Sequence, residues 1–498
     1  MCVEPGMSST NLTRMRTLLS QGRFAEAELQ ARDILATSNN AYEAHALLGQ
    51  FAARRGETAL ALYHLDRGTP PGEAPHPDLL AARGAALARA GRYELAAMQL
   101  TASIDGSSDP LGVLLRLGWV FERLDRFDDL RAILERADKL AAQLGQDISV
   151  RTAILKMRTD EWETALDILD RASSISGSDR LARGRLRDRA GRYDDAWGDF
   201  VAGKADIAAS ESLSYPATQV TAHYDRVINI FSTDFISALP HAPMNDRLPQ
   251  PIFVTGPPRS GTTLFERMIC ADQIVRARGE LPFAFHLVQH ISTQFGSYPD
   301  GLASLGNITK DRLAVALRDR YSELAFADVG TAQAPYFVDK MPFNEQFLPL
   351  LTMAFPESPF IVMTRHPLDV VVSMMSHHLT HGYNCALSPL DAAHHLAAID
   401  RLTAHWEAAG CLLYRQSYEQ LVADPVTAGE RLSVATGLSF PAANSVEVTS
   451  TPATPSYARA RGPISKDAVF RWRNYGHHLS AAMPIIAPLV ARHGYELD

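Results

Sequence analysis

Cysteine is scarce in this chain: four in 498 residues (Cys2, Cys270, Cys385, Cys411), with no C-x-x-C pair. That excludes a disulfide framework and a cysteine zinc site, and it predicts a reducing compartment. Long apolar runs are missing as well. No stretch approaches the roughly 18 uninterrupted apolar residues of a membrane span, and the first residues hold no apolar core of signal-peptide length. The sequence therefore predicts a cytoplasmic protein with no membrane span. A basic excess is also absent. With 48 Lys and Arg against 56 Asp and Glu, the formal net charge is −8. This disfavours a nucleic-acid binder and leaves any anionic ligand to local basic groups. The remainder, 46% hydrophobic and 21% charged over a length sufficient for two or three domains, is a globular composition.

From about residue 10 to 205 one phrase recurs. It reads GRFAEAE from Gly22, GETALAL from Gly56, GRYELAA from Gly91, DRFDDLR from Asp125, DEWETAL from Asp160 and GRYDDAW from Gly191, at steps of 34, 35, 34, 35 and 31. Gly49, Gly84, Gly118 and Gly184 stand seven residues before the turn position, where a small residue lets two helices approach closely. Phe24, Tyr93, Phe127, Trp162 and Tyr193 follow the turn at core-facing spacing. This period and pattern resemble the tetratricopeptide repeat. The resemblance implies an all-α tetratricopeptide solenoid over 10–205, with a concave face for a peptide or protein partner. The other reading is an array that buttresses or dimerises the rest of the chain. Residues 206–250 read as a capping helix and linker; the stretch 239–251 carries four prolines.

The densest chemistry lies in 251–264, PIFVTGPPRSGTTL. Ile252, Phe253 and Val254 predict a buried strand, Gly256 to Gly261 a turn, and Thr262 onward a helix. Strand, glycine-bounded turn and helix N-terminus together make an anion cradle. The two glycines have the spacing of the nucleotide P-loop, G-x4-G-K-[ST], but Thr262 occupies the lysine position and the positive charge lies inside the turn, as Arg259. A phosphate bearing a less charged group suits this turn better than a triphosphate, which uses the lysine.

Further segments place polar groups at predicted strand ends, where ligands collect in open parallel sheets. Glu280 follows a short strand at 274–276. Lys340 follows a strand at 336–338. Arg365 closes a strand at 360–363 and precedes Ser373 by eight residues, so that guanidinium and hydroxyl can converge on one phosphate. Tyr418 opens a helix after another strand. His286 and His290 share a helix face, and His366, His377, His378 and His381 crowd one region. No HExxH motif or carboxylate at ligand spacing accompanies them, so no metal is predicted.

The wording PPRSGTTL and the Arg365-x7-Ser373 spacing resemble the sulfotransferases that use 3′-phosphoadenosine 5′-phosphosulfate (PAPS). They are most similar to the protein-tyrosine type and to bacterial sulfotransferases carrying tetratricopeptide repeats. The resemblance implies a PAPS-dependent sulfotransferase domain over 251–498, with an open parallel α/β sheet of P-loop type. It implies that Arg259 and the amides of Ser260, Gly261, Thr262 and Thr263 hold the 5′-phosphate and sulfuryl group, and that Arg365 and Ser373 hold the 3′-phosphate. Lys340, in DKMP, matches the family's cation beside the bridging oxygen, and Glu280, in a Gly-Glu pair, its catalytic base. Arg259 completes the catalytic set. Tyr418 would lie near the nucleotide or in the core. Ser456 and Arg461 match polar positions of a loop that covers the nucleotide. The acceptor is a hydroxyl, with protein tyrosine, glycan, lipid-linked sugar and small phenol or alcohol all open. Two other classes remain: a P-loop kinase-like phosphotransferase, against which the missing lysine argues, and a non-catalytic repeat adaptor.

Overall fold

The computed structural model describes residues 5–38, 41–157, 161–245, 248–271, 274–326, 334–379, 382–438 and 464–497. The chain divides into two compact units, Met1–Ile175 and Ser176–Asp498.

The described part of the first unit is built of helices joined by tight turns, among them Tyr42–Arg55 with Thr58–Leu65, Pro77–Arg89 with Tyr93–Ser103, and Pro110–Arg123 with Phe127–Leu144. The first residue of the recurring phrase explains the turns. Gly91 sits at φ +73, in the left-handed region where a glycine ends a helix without strain, and Arg92 N–H returns to the Leu87 carbonyl at 2.9 Å. The glycine seven residues earlier explains the close approach. A Cβ on Gly84 would lie 2.7 Å from Leu100 Cγ on the paired helix. Leu100, Leu114, Leu117 and Leu130 fill the space between successive hairpins and are fully buried, each contributing roughly 1.5–3 kcal/mol of transfer free energy.

The second unit begins with another hairpin, Gly177–Arg189 and Tyr193–Glu211, opened by a Ser176/Asp179 capping box. A helix, Ala217–Ile230, and a short turn of helix, Thr233–Ser237, lead to the sheet. Its five strands are all parallel: β1 (Gln250–Thr255), β2 (Val275–Ala277), β3 (Tyr336–Lys340), β4 (Phe360–Thr364) and β5 (Tyr414–Ser417), in the order β2-β3-β1-β4-β5. Alternating side chains of β1 feed two cores. Phe253 packs with Phe337, Phe360, Tyr321 and Trp406 on one face. Ile252 and Val254 pack with Phe265, Val338, Ile361 and Leu421 on the other. A strand buried on both faces needs apolar residues at every position, which is why this run shows no polar alternation. A third cluster joins Val370, Val371 and Met374 of the Pro367–Met375 helix to Trp197 and Phe200 of the hairpin and to Tyr475 and Leu479.

From β1 the chain runs to β2 at one edge, returns to β3 beside β1, and then crosses to β4 on the other side of β1. Strand order therefore reverses between β1 and β4, and a crevice opens beyond their carboxyl ends. No described helix is long and apolar enough to cross a membrane.

Candidate active site

The turn after β1 is shaped by what it cannot accommodate. A Cβ on Gly256 (φ +132) would fall 2.4 Å from the Met363 carbonyl of β4, and one on Gly261 (φ +99) 2.5 Å from the Tyr418 ring. Between them Arg259 adopts φ +73, a strained conformation for a residue with a side chain. Ser260 is buried, its N–H bonds the Pro257 carbonyl at 3.1 Å, and its Oγ has no hydrogen-bond partner among the described residues. Thr262 and Thr263 open the Thr262–Ile269 helix and are both buried.

Residues far apart in sequence gather on this turn. Arg259 Nε donates to Ser373 Oγ at 3.1 Å, and its Nη2 meets His377 Nε2 at 3.2 Å. Arg365 Nη1 donates to the Arg259 carbonyl at 2.9 Å, while its guanidinium lies 4.6 Å from the centre of the Tyr418 ring. Arg365 Nε is buried and unpartnered among the described residues. Asp369, 3.9 Å from Arg365, accepts the N–H groups of Phe470 and Trp472 at 2.7 and 2.8 Å, pinning that segment beside the crevice. Burial raises the Asp369 carboxyl above its ordinary range, against the pull of Arg365.

A second constellation stands at the ends of β2 and β3. Lys340, wholly buried, donates from Nζ to Glu280 Oε1 at 2.8 Å; Glu280 is partly exposed. The Lys340 N–H is held by the Gly279 carbonyl at 2.9 Å. Behind them Glu266 takes the Gly279 N–H at 3.0 Å through Oε1, while Oε2 has no partner among the described residues. Burial raises the Glu266 carboxyl, Lys340 opposes this and Glu280 adds to it. Asp339 points the other way, into a network with Tyr321 and Asn344, and burial pushes its carboxyl up to about 7. Phe343, at φ +81, stacks on Tyr383 at 5.0 Å beside the pair; burial, and then Glu280, raise the Tyr383 phenol.

Of the residues singled out in the sequence, Arg259, Ser260, Gly261, Thr262, Thr263, Arg365, Ser373 and Tyr418 share the first constellation, and Glu280 and Lys340 form the second. Ser456 and Arg461 lie outside the described residues. The crowded histidines separate: His366 stacks on Trp472, His377 meets Arg259, His378 meets Ser178, and His381 lies outside the described residues. Among the described residues, three metal-ligand side chains come together only at Asp194, His477 and His478, on the surface. Glu266 and Tyr383 were not foreseen, and His377 stood out only as one of the crowded histidines. Glu266 left one trace: it stands one helical turn before the buried Ile269.

Residues 251–442 match the family model described as Sulfotransferase family. This stretch is a sulfotransferase family domain. An "Uncharacterized protein" of Aquifex aeolicus (strain VF5) is 25% identical to this chain over 347 residues, 66% of this chain and 44% of that protein. A Caenorhabditis briggsae protein named "Putative protein-tyrosine sulfotransferase" is 34% identical over 136 residues, 27% of this chain and 46% of that protein. The matches thus span less than half the length of each of these relatives. Two solved structures also align with the chain. The sulfotransferase domain of the Synechococcus PCC 7002 olefin synthase has 18% identity and a TM-score of 0.38, covering 52% of this chain and 99% of that one. A Mycobacterium avium sulfotransferase has 15% identity and a TM-score of 0.28, covering 72% and 96%.

Proposed function

We propose that the sulfotransferase domain moves a sulfuryl group from PAPS to a hydroxyl acceptor. The observation that carries this reading is the convergence of Arg259, Ser373 and Arg365 on one glycine-bounded turn with no lysine at its end. Cations and a hydroxyl cluster there, and Ser260 Oγ and Arg365 Nε are buried donors without a partner among the described residues, which is costly unless a ligand satisfies them. They suit a doubly phosphorylated nucleotide. The turn amides and Arg259 hold its 5′ end; Arg365 and Ser373 hold the 3′-phosphate; Tyr418 closes the floor.

The donor supplies the sulfuryl group. Glu280 takes the acceptor's proton as the acceptor oxygen bonds to sulfur, and Lys340, 2.8 Å away, neutralises charge on the phosphate oxygen that leaves. The products are the sulfated acceptor and 3′-phosphoadenosine 5′-phosphate. The period near 34 residues and the left-handed turn positions support reading residues 10–205 as a tetratricopeptide solenoid that takes a peptide or protein partner.

Thermal unfolding of the purified chain tests the donor assignment. A ligand bound only to the native state adds about 2.7 kcal/mol at one hundred times its Kd. 3′-Phosphoadenosine 5′-phosphate is expected to raise Tm, and Arg365→Ala to abolish the rise. A larger shift with Mg·ATP would overturn the reading in favour of a phosphotransferase.

A further inference from the structure

The site described so far is built from the carboxyl ends of the strands and the loops that follow them, but the Gly177–Glu211 hairpin reaches it too. The Pro367–Met375 helix, which carries Ser373, runs out at Ser376 and His377. The last carbonyls of a helix lack intrahelical donors and form its negative pole. Two cations of the hairpin supply the donors: Arg185 Nη1 bonds the Ser376 carbonyl at 2.9 Å and Lys204 Nζ the His377 carbonyl at 2.7 Å. Ser178 Oγ lies 3.0 Å from His378 Nδ1, and Glu211 lies 3.4 Å from the His378 ring. Three consecutive residues are therefore held from one side by the hairpin.

From the other side they hold the site. His377 Nδ1 lies 2.9 Å from Ser376 Oγ and 3.0 Å from the Ser373 carbonyl, and its Nε2 meets Arg259, whose Nε in turn reaches Ser373 Oγ. An unbroken run of contacts links Lys204 to the guanidinium in the turn.

The chain contains its own control. The hairpin of Pro77–Arg89 and Tyr93–Ser103 carries the same phrase, and at the two equivalent positions it has Ala85 and Ile104. Ile104 is buried in the apolar core there. The hairpin fold therefore does not require these cations. A buried ammonium is also expensive to keep. Lys204 is 3% exposed, and burial, with Arg259 nearby, pushes its pKa down to about 7, while Cys385 pulls the other way.

We infer that Arg185 and Lys204 are positioning residues of the donor site, holding the Ser376–His377 turn so that His377 and Ser373 aim Arg259 at the anion. The hairpin is then a working part of the catalytic unit. This rests on the sulfotransferase reading above.

The test is calorimetric titration of the full chain with 3′-phosphoadenosine 5′-phosphate and with adenosine. Lys204→Met, Lys204→Arg, Arg185→Met and Arg365→Ala are compared with the wild type, with Tm measured for each. Lys204→Met is expected to weaken the bisphosphate about tenfold or more, as loss of a charge-assisted contact implies, and adenosine, which offers no phosphate to Arg259, by less than about twofold. Lys204→Arg should restore most of the affinity. Arg185→Met changes a half-buried position and should show the same split if Lys204→Met folds poorly. Unchanged bisphosphate affinity in both Met variants, or equal losses for both ligands in step with Tm, would overturn the inference. A wild-type chain that ignores the bisphosphate would instead overturn the donor reading.

Discussion

In the hairpin of Pro77–Arg89 and Tyr93–Ser103, the side chains at 85, 87, 88, 97 and 104 are Ala, Leu, Ala, Ala and Ile. One hundred residues later, the hairpin of Gly177–Arg189 and Tyr193–Glu211 has Arg185, Arg187, Asp188, Trp197 and Lys204 at the matching places. Inside, the two are alike. Gly91 and Gly191 turn at φ +73 and +75, and a Cβ on Gly84 or Gly184 would meet the paired helix at 2.7 or 2.6 Å. Outside, they differ. The first buries apolar residues among its neighbours. The second sets Asp188 2.7 Å from Arg471 and Trp197 against Tyr475 with ring centres 5.5 Å apart, while Arg187 turns back to Asp199 of its own hairpin at 3.0 Å. The phrase thus specifies how two helices pack on each other, and the positions it leaves open select what they pack against.

The strongest attack on this comparison is to remove one of those selected partners. Asp188→Ala leaves Arg471, 10% exposed, without its carboxylate, and the expected cost is about 3–5 kcal/mol. Chemical denaturation of the full chain measures it; a cost within about 0.5 kcal/mol of zero would show that the outward ion pairs do not select the neighbour. Next in size are the shared glycines. Gly84→Ala and Gly184→Ala should each cost about 1–3 kcal/mol, since each adds a methyl to a contact with no room for it. Equal losses would sharpen the likeness, and a large inequality would break it.

The smallest signal is a slope with pH. In the first unit Glu28 is held below its ordinary range by Arg32, with Arg55 assisting against burial. In the second, burial lifts Asp339 from 3.8 to about 7. A carboxyl that keeps its proton longer when folded contributes stability in full below the unfolded value, and that contribution is lost as pH rises toward the folded one. Asp339→Asn, always neutral, should therefore gain Tm relative to wild type between pH 3.8 and about 7 and level off above. A difference that stays flat with pH would refute the assignment.

Much of this was legible in the sequence, for identifiable reasons. The all-apolar run of β1, the glycines of the turn and the recurring phrase are local signals set by backbone geometry. The spacing from Arg365 to Ser373 is local too, and in the structure both meet Arg259, Arg365 at its carbonyl and Ser373 at its Nε. What escaped notice was decided by partners far along the chain. Lys204 reads as an exposed lysine until the His377 carbonyl, 173 residues on, appears beside it. Glu280 and Lys340 were each visible as strand-end groups, but nothing local shows that they touch across 60 residues. Glu266 looked like an ordinary helix acid because the Gly279 amide that holds it belongs to another loop.

The Tyr418 ring fills the space a Cβ on Gly261 would need and lies 4.6 Å from the Arg365 guanidinium. Two contacts therefore tie three positions to one ring. A larger residue at 261 meets the ring and, at φ +99, stays strained even beside a smaller one, while shrinking the ring takes away the surface that Arg365 rests on. No one of the three changes without disturbing a contact of another.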